Sequence, residues 1–302
     1  MNKYMMLLPR IASISFSNIK RSLRKYSTEP IKMNAAAYKF TRPFIITFDA
    51  YDTIYTPKDS IESQYHEIAS KYHVLMDQST IAERYLNYYR ELSSTHPNFG
   101  KYKGWTISMF WTTLLERVFS EADLSQCGGS LPPELIPELV AHFSTREAYR
   151  VFEDVKPCLR KLQENGIHTV IASNADAGVT RLIIDTFELG DYFSASSIFL
   201  SYDLEVSKPD PAFFKKILLK TGETEPQLTK YSQQELLENS WHVGDEYKKD
   251  LECAQKAGMG AILLDRTRSL GYLRDREDLR VLGEKQVVVS SLEQVPKFFG
   301  IE

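Results

Sequence analysis

Short apolar runs that stop at a polar residue constrain this chain more than any other feature. Residues 44–49 read FIITFD, and comparable runs follow at 167–172 (IHTVIA), 197–200 (SIFL), 241–243 (WHV), 260–264 (GAILL) and 287–289 (VVV). They lack the alternation of a strand with one wet face, so they fit strands buried on both faces of a parallel sheet. Helical patterns lie between them. Pro157 opens one that stops at Asn165 and Gly166, and Pro211 opens another that stops near Gly222. Strands alternating with helices predict an α/β fold around a doubly wound, mainly parallel sheet.

Residues 57–150 interrupt that alternation with four helical patterns and no strand signal. Asp59 with Glu62, and Thr80 with Glu83, have capping-box spacing, and Ile107, Phe110, Trp111, Leu114, Leu115 and Val118 form one apolar stripe. A further helix is expected after Pro132 and Pro133, with Leu135, Leu139, Val140 and Phe143 inward. An all-helical insert of this length reads as a separate cap domain, leaving residues 42–56 and 151–302 as the core domain. Tyr85, Tyr88, Tyr89, Trp105 and Trp111 are read mainly as bundle core. Residues 223–239, rich in Thr, Gln and Glu and without a strand signal, are expected to form a surface excursion.

The beginning of the chain differs in composition from the rest. Lys3, Arg10, Lys20, Arg21, Arg24 and Lys25 occur with five serines and no acidic residue before Glu29, interleaved with apolar side chains. That is the make-up of a mitochondrial transit peptide, expected over residues 1–27, with RKYST at 24–28 resembling a matrix-processing site. A mitochondrial matrix location follows as the expectation. Removing the six positive charges takes the formal net charge from -3 to -9, which disfavours nucleic acid as a partner. No apolar run approaches the roughly 20 residues of a membrane span. Cys127, Cys158 and Cys253 are scattered, without the close pairing of a zinc or redox motif, which suits a reduced compartment.

Four segments at the ends of predicted strands carry unusual polar residues, and in an open parallel sheet such ends meet at one crevice. They are Asp49 with Thr53 (FDAYDT), Ser173 with Asn174 (IASNAD), Lys208 (VSKPDP), and Asp245 with Asp250 (HVGDEYKKD). Each alone has an ordinary reading as a turn, a cap or a solvated charge. In this order and context they resemble the four motifs of the haloacid dehalogenase (HAD) superfamily, from about residue 42 to the end, with the helical insert where that family places its cap. The likeness extends to the group of haloacid dehalogenase-like hydrolase domain-containing protein 3 and its fungal relatives. It implies a HAD-like Rossmannoid sheet and a hydrolase with Asp49 as nucleophile and Lys208 beside it. Ser173, Asn174 and Thr53 would then bind substrate, and Mg2+ would sit on Asp49, Asp245, Asp250 and a backbone carbonyl near Tyr51. Elementary chemistry agrees: a carboxylate can attack phosphorus to give a covalent intermediate that water later opens, provided cations offset the like-charge repulsion. Mg2+ prefers hard oxygen ligands of this kind. Asp250 could also act through water, orient Lys208, or serve as a first-turn helix acid.

One residue departs from the pattern. Phosphatases of the superfamily carry a second aspartate two residues after the nucleophile, and here that position is Tyr51. Asp52 comes one residue too late, and a one-residue slip on an extended segment points a side chain the other way. A phenol, with a reference pKa near 10, is a poor acid at neutral pH, and losing a tuned acid typically costs about 100-fold to 10,000-fold in rate. Tyrosine at this position also resembles the true haloacid dehalogenases, which work without Mg2+ because a halide leaves unprotonated; those enzymes, however, lack the acidic pair that HVGDEYKKD retains. The expected activity is hydrolysis of a small phosphorylated metabolite, the alternatives being a catalytically weakened binding protein or a metal-free 2-haloacid dehalogenase.

Overall fold

A computed structural model describes residues 40–302, so the leader expected over residues 1–27 lies outside the described residues. Nine strands occur among them: β1 (Ile45–Phe48), β2 (Tyr55–Pro57), β3 (Tyr149–Val151), β4 (His168–Ser173), β5 (Ile198–Leu200), β6 (Ser240–Gly244), β7 (Gly260–Leu264), β8 (Leu279–Gly283) and β9 (Gln286–Val289). Seven form one sheet in the order β5-β4-β1-β6-β7-β9-β8, and β2 pairs with β3 in a separate two-stranded sheet. The described chain divides into two compact units, residues 57–149 and residues 40–56 with 150–302. Arg150, read as the end of the insert, falls in the second unit.

In the second unit β1 is an interior strand, with Ile45 paired to His168 of β4 on one side and to Ser240 of β6 on the other, both parallel. All four of its residues are buried, as its unbroken apolar sequence requires. The sheet is an α/β sheet of mainly parallel strands. Its exception is β8, an antiparallel edge partner of β9 that the sequence did not announce because LRVLG is only partly buried and carries Arg280 within it. Residues 223–239 are more than an excursion: the helix Gln233–Glu238 starts on a Ser232–Glu235 capping box, and Leu228, Leu236 and Leu237 enter the core. Full burial of such a side chain is worth about 1.5–3 kcal/mol, which outweighs the polar composition around it.

The first unit holds four α-helices: α1 (Ile61–Lys71), α2 (Gln78–Thr95), α3 (Ile107–Phe119) and α4 (Leu135–His142). Their N-caps correct the sequence reading. Ser60, not Asp59, caps α1 through the Ser63 amide. Asp77, not Thr80, caps α2, its carboxylate taking both the amide and the hydroxyl of Thr80. Ile136 rather than Val140 joins Leu135 and Leu139 inside α4. Tyr85 and Tyr89 are bundle core, whereas Tyr88, Trp105 and Trp111 are only half-buried. Among the described residues no helix is long and apolar enough to cross a membrane.

Candidate active site

Every polar segment singled out in the second unit lies at the C-terminal edge of its sheet. Asp49 follows β1, and its amide donates to the Val243 carbonyl of β6 at 2.8 Å. Ser173 ends β4 with Asn174 next to it, and Gly244 ends β6 with Asp245 next to it. The parallel register sets these ends level, so residues far apart in sequence share one rim.

Lys208 joins them. Its ammonium, 2 % exposed, donates to Asp49 Oδ1 at 2.8 Å and to Asp250 Oδ1 at 2.6 Å. Asn174, expected on the substrate, clamps this lysine's backbone: its Nδ2 donates to the Lys208 carbonyl at 2.7 Å and its Oδ1 accepts the Lys208 amide at 2.9 Å. Ser173 is buried beside it. Thr53 is also buried, and its hydroxyl has no hydrogen-bond partner among the described residues. Its carbonyl accepts from Arg266, which forms a two-point ion pair with Asp154 at 2.6 and 3.0 Å.

One ligand oxygen from each of Asp49, Asp245 and Asp250 lies within 4.8 Å of the others. Among the described residues the Lys208 ammonium is the cation paired with Asp49 and Asp250, so the three carboxylates, when ionised, are short of positive charge in a largely buried site. Burial, then the charges of Asp250, Asp49 and Asp52, push Asp245 well above the ordinary carboxylate range. Burial alone would also raise Asp250, but the Lys208 ammonium and the N–H of His242 reverse this and hold it below that range. Burial would lower Lys208, and the carboxylates of Asp250 and Asp49 raise it above the ordinary lysine value instead. Hard oxygen donors with this charge deficit fit a divalent cation such as Mg2+.

The two acids of the β6 segment are not equivalent. Asp250 Oδ1 accepts from Lys208 and, at 3.0 Å, from His242 Nε2, while its Oδ2 accepts the Glu246 amide at 2.8 Å. Three donors occupy most of its lone pairs. Asp49 and Asp245 therefore have more capacity for direct coordination, while Asp250 is already engaged by Lys208, His242 and the Glu246 amide. Gly244 makes this packing possible: a Cβ there would lie 2.2 Å from Asp250 Cγ. Asp52 occupies a left-handed backbone position (φ 55°) and its Oδ1 accepts the Thr56 hydroxyl at 2.7 Å, while the Tyr51 ring packs edge-on against Tyr55.

The family model described as "haloacid dehalogenase-like hydrolase" matches residues 45–258, from the start of β1 past Asp250. The chain belongs to the haloacid dehalogenase-like hydrolase family. An uncharacterized protein of Saccharomyces cerevisiae is 34% identical over 247 residues, covering 81% of this chain and 79% of its own. Haloacid dehalogenase-like hydrolase domain-containing protein 3 of Danio rerio is 24% identical over 254 residues, covering 83% of this chain and 94% of its own. Among solved structures, the putative HAD-hydrolase YfnB of Bacillus subtilis, described as bound to magnesium, aligns with a TM-score of 0.58 at 16% identity over 86% of this chain and all of its own. Solved structures named as HAD phosphatases and as 2-haloacid dehalogenases both share the fold, so the fold does not choose between those chemistries.

In this haloacid dehalogenase-like site the sequence reading missed His242 and the Arg266–Asp154 pair. WHV looked like an interior strand segment, and nothing local shows that its histidine faces a carboxylate eight residues on. Arg266 and Asp154 are 112 residues apart, with no motif linking them.

Proposed function

We propose that this chain is a Mg2+-dependent hydrolase of a small phosphorylated metabolite, acting through an aspartyl-phosphate on Asp49. The observation that carries the reading is the cluster of Asp49, Asp245 and Asp250 around one buried ammonium, whose charge deficit suits a divalent cation. The superfamily generally uses Mg2+. Asp49 and Asp245 would hold it, with Asp250 behind them, and the bound cation would draw negative charge from the phosphoryl oxygens.

Lys208 offsets repulsion between Asp49 and an incoming phosphate dianion while leaving Asp49 Oδ2 without an ammonium upon it. Attack by an Asp49 oxygen on phosphorus forms the O–P bond as the bond to the leaving oxygen breaks, and water then opens the aspartyl-phosphate. The hydroxyls of Ser173 and Thr53 are candidate donors to phosphoryl oxygens; the unpartnered Thr53 oxygen supports this. Tyr51 is a poor proton donor, and Asp52 is tied to Thr56. Substrates whose leaving group departs as a stable anion, such as acyl phosphates, therefore suit the site best.

Purified protein with Mg2+ is expected to hydrolyse an activated aryl phosphate, and Asp49→Asn to abolish this. Tyr51→Asp is expected to widen the range towards alkyl phosphates. Absence of turnover by folded protein on aryl and acyl phosphates would remove the reading. Tyr51 favours one rival, metal-free dehalogenation, whose signature is halide release from a 2-halo acid unaffected by chelator. The leader composition supports a mitochondrial matrix location; residues 1–40 fused to a fluorescent protein should direct it there, and diffuse cytosolic signal would refute this.

A further inference from the structure

His242 is fully buried on β6, and both its ring nitrogens are engaged. Nδ1 lies 2.7 Å from the Thr47 hydroxyl on β1, and Nε2 lies 3.0 Å from Asp250 Oδ1. The parallel register pairs Thr47 directly with His242. Side chains two apart along an extended chain share a face, so Thr47 on β1 and Asp49 just past its end line up, and His242 and Gly244 line up beside them on β6. Gly244 leaves open the space that Asp250 fills. The Phe214 ring, 4.6 Å from the imidazole, closes the other side.

This geometry selects one tautomer. An ionised carboxylate only accepts hydrogen bonds, so Nε2 carries the proton towards Asp250. In a neutral ring Nδ1 must then accept, and the Thr47 hydroxyl is its donor; that hydroxyl's other acceptor, the Trp241 carbonyl, is farther away at 3.4 Å.

We infer that His242 is a positioning residue: the centre of a buried chain, Thr47–His242–Asp250–Lys208, that fixes the lysine ammonium against Asp49. The inference rests on the hydrolase reading for its consequence, but the chain of contacts stands on its own distances. Without the imidazole, Asp250 keeps Lys208 and the Glu246 amide yet loses the donor that orients Oδ1, and Lys208 is free to follow it.

Two measurements test this. In metal-free protein, nitrogen-15 NMR of the imidazoles, with His242 assigned by its absence in His242→Gln, is expected to show a neutral ring protonated on Nε2. In Thr47→Val the unprotonated Nδ1 signal should move as its donor is lost, and Thr47→Ser should leave it near the wild-type position. A proton on Nδ1 would overturn the inference. Turnover of an activated aryl phosphate is the second readout. Removing a group that orients a ligand typically costs about 10-fold to 100-fold, so His242→Ala should lower kcat by about that factor with KM within about twofold. His242→Gln, which places an amide N–H where Nε2 stood, should recover kcat to within about fivefold of wild type. Equal impairment of both variants, or an unimpaired Ala variant, would overturn the inference. The same comparison can be read on Mg2+-induced thermal stabilisation, which needs no turnover. Wild-type protein with the Nε2–H tautomer but no turnover would remove the hydrolase reading and leave the chain standing; turnover with an Nδ1–H tautomer would do the reverse.

Discussion

Replacing Gly244 by alanine tests the packing on which the carboxylate cluster depends. The added Cβ would lie 2.2 Å from Asp250 Cγ, 2.5 Å from its Oδ2 and 2.7 Å from its Cβ. The backbone of Gly244 is not left-handed, so the obstacle is space alone. Asp250 cannot swing aside freely, because Lys208, His242 and the Glu246 amide hold it at 2.6, 3.0 and 2.8 Å. Reaching an ordinary contact requires a retreat of about 1.2 Å, enough to take at least two of those bonds beyond hydrogen-bonding distance. Bonds to charged groups are worth about 1.5–3 kcal/mol each, so the expected loss is about 3–6 kcal/mol. For a domain of this size that lowers the melting temperature by about 6–24 °C. Thermal unfolding of metal-free wild type and Gly244→Ala at equal concentration measures it. Adding Asp250→Ala removes the clashing carboxylate, so the double variant should be at least about 1 kcal/mol more stable than additivity predicts. A single variant melting within about 2 °C of wild type, or strict additivity in the cycle, would refute the reasoning.

Three further outcomes are expected. Lys208→Met removes the ammonium paired with Asp49 and Asp250; metal-free protein should lose about 3–5 kcal/mol, and Mg2+ should raise its melting temperature more than that of wild type, an equal or smaller rise counting against the charge argument. Thr53→Val deletes a buried hydroxyl without a partner, so stability by urea unfolding should stay within about 0.5 kcal/mol of wild type; a loss above about 1.5 kcal/mol would show that the hydroxyl bonds within the fold. Arg266→Met strands the mostly buried Asp154 carboxylate and frees the Thr53 carbonyl; a loss of about 3–5 kcal/mol is expected by the same assay, and one below about 1 kcal/mol would contradict it.

The elements most legible in the sequence were those whose signal is continuous and local. FIITF reads as a strand buried on both faces, and its last four residues form the interior strand β1. GAILL is β7 residue for residue. Where two local signals competed, the sequence misled. Asp59 and Thr80 had the right chemistry for caps, but Ser60 and Asp77 stood where the chain enters the helix. Leu228, Leu236 and Leu237 were obscured by polar neighbours that face solvent, because two apolar residues in a short helix and one in the turn before it make too weak a periodic pattern to announce burial.

The site divides along the same line. Asp49, Ser173 and Asp245 were readable as candidates because each ends or follows an apolar run, and strand ends in a parallel sheet share one rim, while Lys208 stood out only through its likeness to a family motif. The division of labour among them was not readable. Lys208 bonds to Asp49 across 159 residues and to Asp250 across 42, and His242 meets Thr47 across 195. Residue order and strand polarity follow from short-range properties, so the chain by itself determined which acids and which base reach the sheet's edge. Which oxygen faces which donor depends on strand register, on the gap left by Gly244 and on the exclusion of water, and only the folded structure decided that.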